Sequence, residues 1–178
     1  MLSLILDTET TGLSPVHDRV CEIGVVLTDW KEIYCALRTY INPQMDFENS
    51  HNGLNSFILK DAPTFHEILP IFFMLLLYAD EYVAHNYKFD ARFLQEELSR
   101  EGLRLPYRRT FDTMRAARGR NLQDACRAAG VSTADLKFHT ALDDAIGCFR
   151  LAASLRPRGF EGVDGGGEPA LALTPRFS

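Results

Sequence analysis

A chain of 178 residues, 46% apolar and 24% charged, has the length and composition of one soluble globular domain with a core of its own. Its formal net charge of −5 argues against a generic polyanion binder, which is normally basic, but leaves room for nucleic acid where bound divalent metals carry the positive charge. Cys21, Cys35, Cys126 and Cys148 form no CxxC pair and no zinc-ligand spacing, so they read as buried reduced thiols in a cytoplasmic protein. Met1–Leu6 lacks a basic n-region, and the apolar run Ile68–Ala79, interrupted by Pro70, falls well short of the ~20 residues that cross a bilayer. No membrane association is expected.

Three strand-like runs come first, Leu2–Leu6, Val20–Thr28 and Ile33–Ile41. Only Asp29–Lys31 separates the second from the third, which predicts an antiparallel hairpin. A polar, irregular stretch follows Asn42-Pro43 and ends at Thr64, an N-cap for a helix carrying Ile68, Phe72 and Leu75 or Leu76. Glu81–Ala84 reads as a short strand, His85–Asn86 as a loop, and Lys88–Glu101 as a helix stopped by Gly102. Arg109–Asp112 reads as a further strand. Asn121 caps a predicted helix Leu122–Ala129 closed by Gly130, and a last helix runs from about Thr140 to Leu155. Beyond Arg156 the glycines and prolines predict a flexible tail over residues 157–178, leaving 1–156 as the domain. Initial strands followed by alternating helix and strand indicate an α/β fold with a mixed sheet.

Four acids interrupt apolar elements. Asp7 and Glu9 follow Leu4–Leu6, and residues two apart on a strand share a face, so both carboxylates converge. The alternative is a solvated acidic turn broken by Gly12. Asp90 shares a helical stripe with Phe93, Leu94 and Leu98, although an acid in a first helical turn is also an ordinary dipole partner. Asp144 lines up with Ala141, Cys148 and Leu151 and faces the protein, whereas Asp143 lines up with His139 and Arg150 and faces water. His139 precedes Asp144 by five residues, about 140° away on a regular helix, so both reach one site only if His139 sits in the loop before the helix. Buried unpaired carboxylates are rare because desolvating each costs several kcal/mol, in order of magnitude. Four of them together point to hard divalent cations with oxygen ligands, Mg²⁺ or Mn²⁺ rather than zinc.

These residues form three motifs, "DTETTGL" (Asp7–Leu13), "HNYKFD" (His85–Asp90) and "HTALDDA" (His139–Ala145). In order and spacing they resemble the DEDDh 3′–5′ exonucleases, the DnaQ-like group that includes the proofreading epsilon subunit of bacterial DNA polymerase III. The resemblance covers about residues 1–155. It implies an RNase H-like fold, a five-stranded mixed sheet flanked by helices. It also implies that Asp7, Glu9, Asp90 and Asp144 bind two divalent metals and that His139 activates the water. By the same resemblance Thr8, Thr10, Thr11 and Leu13 hold and wedge the terminal nucleotide, and Asn86 and Phe89 shape its pocket. The family's His-Gly-Ile element has its nearest counterpart in "HNGL", His51–Leu54, with Asn52 interposed; a plain surface loop is the alternative there.

Two metals roughly 3.5–4 Å apart stabilise the attacking and leaving oxygens of a phosphodiester displacement, and an imidazole is suited to taking the proton of the attacking water. The expected products are nucleoside 5′-monophosphates from a DNA 3′ end, single-stranded for preference, in proofreading or repair beside a polymerase or another replication or repair protein. An RNA-trimming exonuclease and a non-catalytic binding module are the competing readings. The arginines at 100, 104, 108, 109, 115, 118 and 120 offer either phosphate tracking or a solvated basic face.

Overall fold

The computed structural model of the chain describes residues 1–48 and 52–156. His51 and the expected tail 157–178 lie outside the described residues. Strands β1 (Ser3–Thr10), β2 (Val20–Thr28) and β3 (Ile33–Tyr40) form an antiparallel meander. The short helix α1 (Ser56–Leu59) and the longer α2 (Phe65–Tyr78) then lead to β4 (Glu81–Ala84), which returns parallel to β1. Helix α3 (Tyr87–Arg100) connects β4 to β5 (Arg109–Asp112), again parallel. Helices α4 (Thr113–Ala116), α5 (Leu122–Ala128) and α6 (Ala141–Leu155) complete the described chain. The sheet order is β3-β2-β1-β4-β5, the expected five-stranded mixed sheet.

Alternation along the strands builds two apolar layers. Leu4 and Leu6 of β1 pack with Phe72 and Leu76 of α2 and Phe93 and Leu94 of α3. Ile5 and Val26 face the other way, into a layer with Cys126 of α5 and Phe149 and Leu151 of α6. Trp30, in the tight β2–β3 connection, stacks on Phe149 with ring centroids 5.5 Å apart. Thr64 and Glu67 form a reciprocal capping box at the start of α2, and Asn121 caps α5. Gly102 and Gly130 follow their helices with φ of +73° and +69°, the left-handed stop that glycine adopts without strain.

The elements differ from expectation in three places. β1 extends through Thr10 because β2 continues to pair with it beyond Asp7, as far as the irregularity at Glu9/Thr10. The polar stretch before Thr64 contains α1, capped by Asn55, whose side chain accepts from the Ile58 N–H. Asp112 likewise caps α4, accepting from the backbone N–H groups of Met114 and Arg115. Both helices are single turns, too short to leave a periodic apolar signature.

Candidate active site

The strand alternation that fills the core also builds the site. Leu4, Leu6 and then Thr8 point toward α3, while Ile5, Asp7 and Glu9 point toward α6. At Asp7 the neighbouring strand presents Gly24. A Cβ on Gly24 would lie 2.1 Å from the Ala141 carbonyl carbon, so only glycine lets the first turn of α6 rest directly on β2. That contact brings Asp144 to β1. Carboxylate oxygens of Asp7, Glu9 and Asp144 lie within 4.8 Å of one another.

His139 occupies the loop before α6, as the angular argument requires, with φ of +67°. Its backbone N–H donates to Asp144 Oδ2 at 3.0 Å. The residue borders a cavity of about 380 Å³ together with Asp7, His85, Asn121, Phe138 and Asp144. Asp143 also turns back, accepting the Lys137 N–H at 3.0 Å, and is half-buried rather than directed fully to water.

Asp90 reaches the region from the opposite face of the sheet and is 3% exposed. Its Oδ1 accepts both the backbone N–H of Thr8 (3.0 Å) and the Thr8 hydroxyl (2.8 Å). It therefore docks α3 onto β1 instead of joining the three-carboxylate group directly. Asn52 donates its amide to Glu9 Oε2 at 2.9 Å.

The electrostatics follow from this crowding. Burial pushes Asp7 well above the ordinary carboxylate range, and the charges of Asp90, Asp144, Glu9 and Glu22 push it further. Burial likewise raises Asp90 to about 7, against the lowering effect of the two Thr8 hydrogen bonds. Asp144 is also raised to about 7, chiefly by burial and despite the His139 N–H. Among the described residues Asp7, Asp90 and Asp144 form no ion pair. An all-oxygen, anionic and mutually repelling donor set is what a hard divalent cation neutralises, so the residues fit the metals that the motifs imply.

The residues expected at the terminal nucleotide divide into two groups. Leu13, 84% exposed, shares a second cavity of about 190 Å³ with Asn86 and Phe89. Thr10 and Thr11 instead build the turn that carries Leu13: the Thr10 hydroxyl donates to the Gly12 carbonyl, and the Thr11 hydroxyl donates to Asp18 and accepts the Arg19 N–H. Leu54 is buried beside Cys21 and Leu59 and presents no face to a base. Of the arginine-rich stretch, Arg100 pairs with Glu97 and Arg108 caps backbone carbonyls, whereas Arg104, Arg109, Arg115 and Arg118 are exposed.

Sequence reasoning passed over Gly24 and Glu22, and gave His85, though inside the motif HNYKFD, no role of its own. Glu22 is buried on the α6 face of β2, where its Oε1 accepts the Ala141 N–H at 3.2 Å and pairs with Arg38. An acid inside the otherwise apolar run "VCEIGVVLT" was the available signal. His85 is held between Thr113 Oγ1 and the Arg120 carbonyl, both at 2.9 Å, and burial lowers its pKa.

Residues 4–151 match the family designated RNase_T and described as Exonuclease. The chain belongs to this exonuclease family. Within it the chain falls in the DnaQ-like, DEDDh group of 3′–5′ exonucleases, hydrolases that use divalent metal ions. Among relatives of this exonuclease, DNA polymerase III subunit epsilon of Rickettsia typhi is 36% identical over 162 residues, 80% of this chain and 68% of that protein. DNA polymerase III PolC-type of Caldanaerobacter subterraneus subsp. tengcongensis is 37% identical over 103 residues, 56% of this chain; the match spans only 7% of that polymerase. The structure of Exonuclease X in complex with 5′ overhanging duplex DNA superposes with a TM-score of 0.68 at 21% identity. That superposition covers 86% of this chain and 90% of the other, and it carries the RNase H-like fold. Among the described residues no helix is long and apolar enough to cross a membrane.

Proposed function

We propose that this exonuclease removes nucleotides from single-stranded DNA 3′ ends in proofreading or repair, with residues 1–156 as its catalytic domain and the cytoplasm as its compartment. The observation that carries the reading is the meeting of the Asp7, Glu9 and Asp144 carboxylates within 4.8 Å of one another, beside the cavity that His139 borders. The DNA substrate and a replicative polymerase as partner draw support from relatives named DNA polymerase III PolC-type and DNA polymerase III subunit epsilon.

Asp7, Glu9, Asp144 and, from the other face, Asp90 would hold two Mg²⁺ (or Mn²⁺) ions. When bound, such ions raise the acidity of the attacking water and neutralise charge on the phosphodiester. The chain supplies the rest. Its backbone anchored on Asp144, His139 takes the proton from water as the oxygen attacks phosphorus. The bond between phosphorus and the 3′ oxygen of the penultimate nucleotide breaks, and that oxygen takes up a proton. The products are a nucleoside 5′-monophosphate and a strand one nucleotide shorter, ending in a 3′-hydroxyl.

Leu13, Asn86 and Phe89 line one pocket and would receive the terminal nucleotide, with Leu13 wedged against its base. Thr8, Thr10 and Thr11 would support the terminal nucleotide from behind that pocket, through their hydrogen bonds to Asp90, Gly12 and Asp18. Leu13→Ala weakens binding of the 3′ end and leaves metal affinity unchanged.

The direct test uses end-labelled DNA and RNA oligonucleotides with Mg²⁺, Mn²⁺ or EDTA, read by product length. Stepwise shortening from the 3′ end of DNA, abolished by EDTA, is expected; faster shortening of RNA would move the reading to RNA trimming. His139→Ala is expected to lower turnover ~10²–10⁴-fold, the usual contribution of a general base, while metal titration stays near wild type. A His139→Ala protein with poor metal affinity and a proportionate loss of activity would make His139 a loop-ordering residue only.

A further inference from the structure

We infer that a groove along the outer face of α3, continuous with the pocket of Leu13, Asn86 and Phe89, binds the body of a single-stranded nucleic acid upstream of its 3′ end; the inference rests on the exonuclease reading above. The groove has a volume of about 760 Å³ and runs from Pro15, Lys88 and Arg92 to Tyr107 and Arg109. Pro15, Lys88 and Arg92 also line the smaller pocket, so the two spaces share a wall. On α3, Lys88 and Arg92 are four residues apart and stand on one face, opposite the stripe that buries Asp90, Phe93 and Glu97.

The charge of the groove runs against that of the chain. The protein carries a net −5, and among the described residues six arginines, Arg19, Arg38, Arg100, Arg127, Arg150 and Arg156, are held in ion pairs. Lys88, Arg92 and Arg109 are exposed, and their side chains take part in no ion pair or hydrogen bond among the described residues, with Glu96 the opposing carboxylate in the groove. Cations left without protein partners along a trough suit the phosphates of a strand, each of which releases counterions when neutralised.

The groove also presents an aromatic platform. Tyr107 is 94% exposed, and Arg108 fixes its backbone: one guanidinium nitrogen donates to the Tyr107 carbonyl at 2.8 Å while the others cap the carbonyls of Leu77 and Ala79. A ring held out beside three cations is the combination that single strands use, stacking a base while the backbone follows the charge. Stacking is indifferent to base identity, as an enzyme that shortens any sequence requires.

The test compares wild type with Lys88→Ala/Arg92→Ala/Arg109→Ala and with Tyr107→Ala. Binding of labelled single-stranded DNA of about ten nucleotides, within the ~4–16 nucleotide span of single-strand sites, is followed by anisotropy in EDTA across a salt titration. The triple variant is expected to flatten the slope of log affinity against log salt by about 2, at ~0.7 for each phosphate no longer neutralised. Tyr107→Ala is expected to weaken binding at least about five-fold, the lower end of one base–aromatic stack. With Mg²⁺, the ratio of kcat/KM for that oligonucleotide over a dinucleotide falls by roughly the same factors. Variants with wild-type slope, affinity and substrate ratio overturn the groove and leave the exonuclease reading standing. Groove-dependent binding by a wild type that hydrolyses neither substrate would instead remove the exonuclease reading and keep the groove.

Discussion

Asp7, Asp90 and Asp144 retain protons that ordinary carboxyls release, because burial and mutual repulsion penalise their charged forms. In the unfolded chain the same groups titrate near 4. Between about pH 4 and about pH 7 the folded, metal-free protein therefore binds more protons than the unfolded chain. Stability then falls as pH rises through that window and levels off above it. In EDTA these groups are expected to make the wild type melt lower at about pH 8 than at about pH 5. Asp90→Asn flattens the dependence, since the amide oxygen still accepts from Thr8 while the charge is gone. Mg²⁺ restores stability at the higher pH by binding the folded form alone. Each of Asp7→Ala, Glu9→Ala, Asp90→Ala and Asp144→Ala abolishes hydrolysis without unfolding the protein. Melting curves with and without EDTA check the set, and an Asp90→Asn curve parallel to wild type would show that the carboxyl is ionised in the fold.

At the scale of elements, the site depends on where α6 begins. Gly24 admits the helix's first turn against β2, and Glu22 accepts the Ala141 N–H at that same turn. Gly24→Ala forces the Ala141 backbone away by more than a side chain can absorb, at a cost of about 1–3 kcal/mol for overpacking. It is expected to lower kcat more than ten-fold, because Asp144 and His139 move together away from Asp7. Metal affinity and kcat fall in parallel, which distinguishes this variant from His139→Ala. The acids that α6 carries were legible in the sequence because charged residues in an apolar stripe stand out against periodicity. So were the hairpin, α3 and α5, marked by a tight turn, a glycine stop and a cap with its glycine stop, and β4 and α6, marked by their apolar patterning. Gly24 was not legible, since a glycine in a strand announces close approach but not what approaches. Nor was the separate docking of Asp90, because the helical stripe placed it inward without showing that Thr8, on the alternate face of β1, would receive it.

Across the whole molecule, the two ends of the sheet are built for different purposes. The carboxyl end of β1 gathers repelling acids, while its amino end closes around a buried charge pair. There Arg156 donates to Glu81 Oε2 at 2.6 Å, Ser3 Oγ donates to the same oxygen at 2.9 Å, and Trp30 Nε1 donates to Ser3 Oγ at 2.8 Å. The Arg156 guanidinium also lies 4.0 Å from the Trp30 ring centroid and 4.8 Å from that of Phe111. Since β1 and β4 run parallel from this end, Glu81 opposes Ser3 and sits four register positions from Asp7. Removing one member of a buried pair leaves the other charge uncompensated, at about 3–5 kcal/mol. Glu81→Gln is therefore expected to lower the melting temperature by roughly 10 °C, at ~2–4 °C per kcal/mol for a domain of this size. Activity per folded molecule at low temperature should stay near wild type, because the substitution leaves the site's own side chains in place. The proposed catalytic domain, residues 1–156, ends at the same pair. A chain ending at Arg156 is expected to melt within about 3 °C of the full chain, and one ending at Leu155 to melt like Glu81→Gln. Differential scanning of the three proteins decides the matter: a Leu155 terminus that melts like wild type would strip the Arg156–Glu81 pair of its role in holding α6 to the sheet.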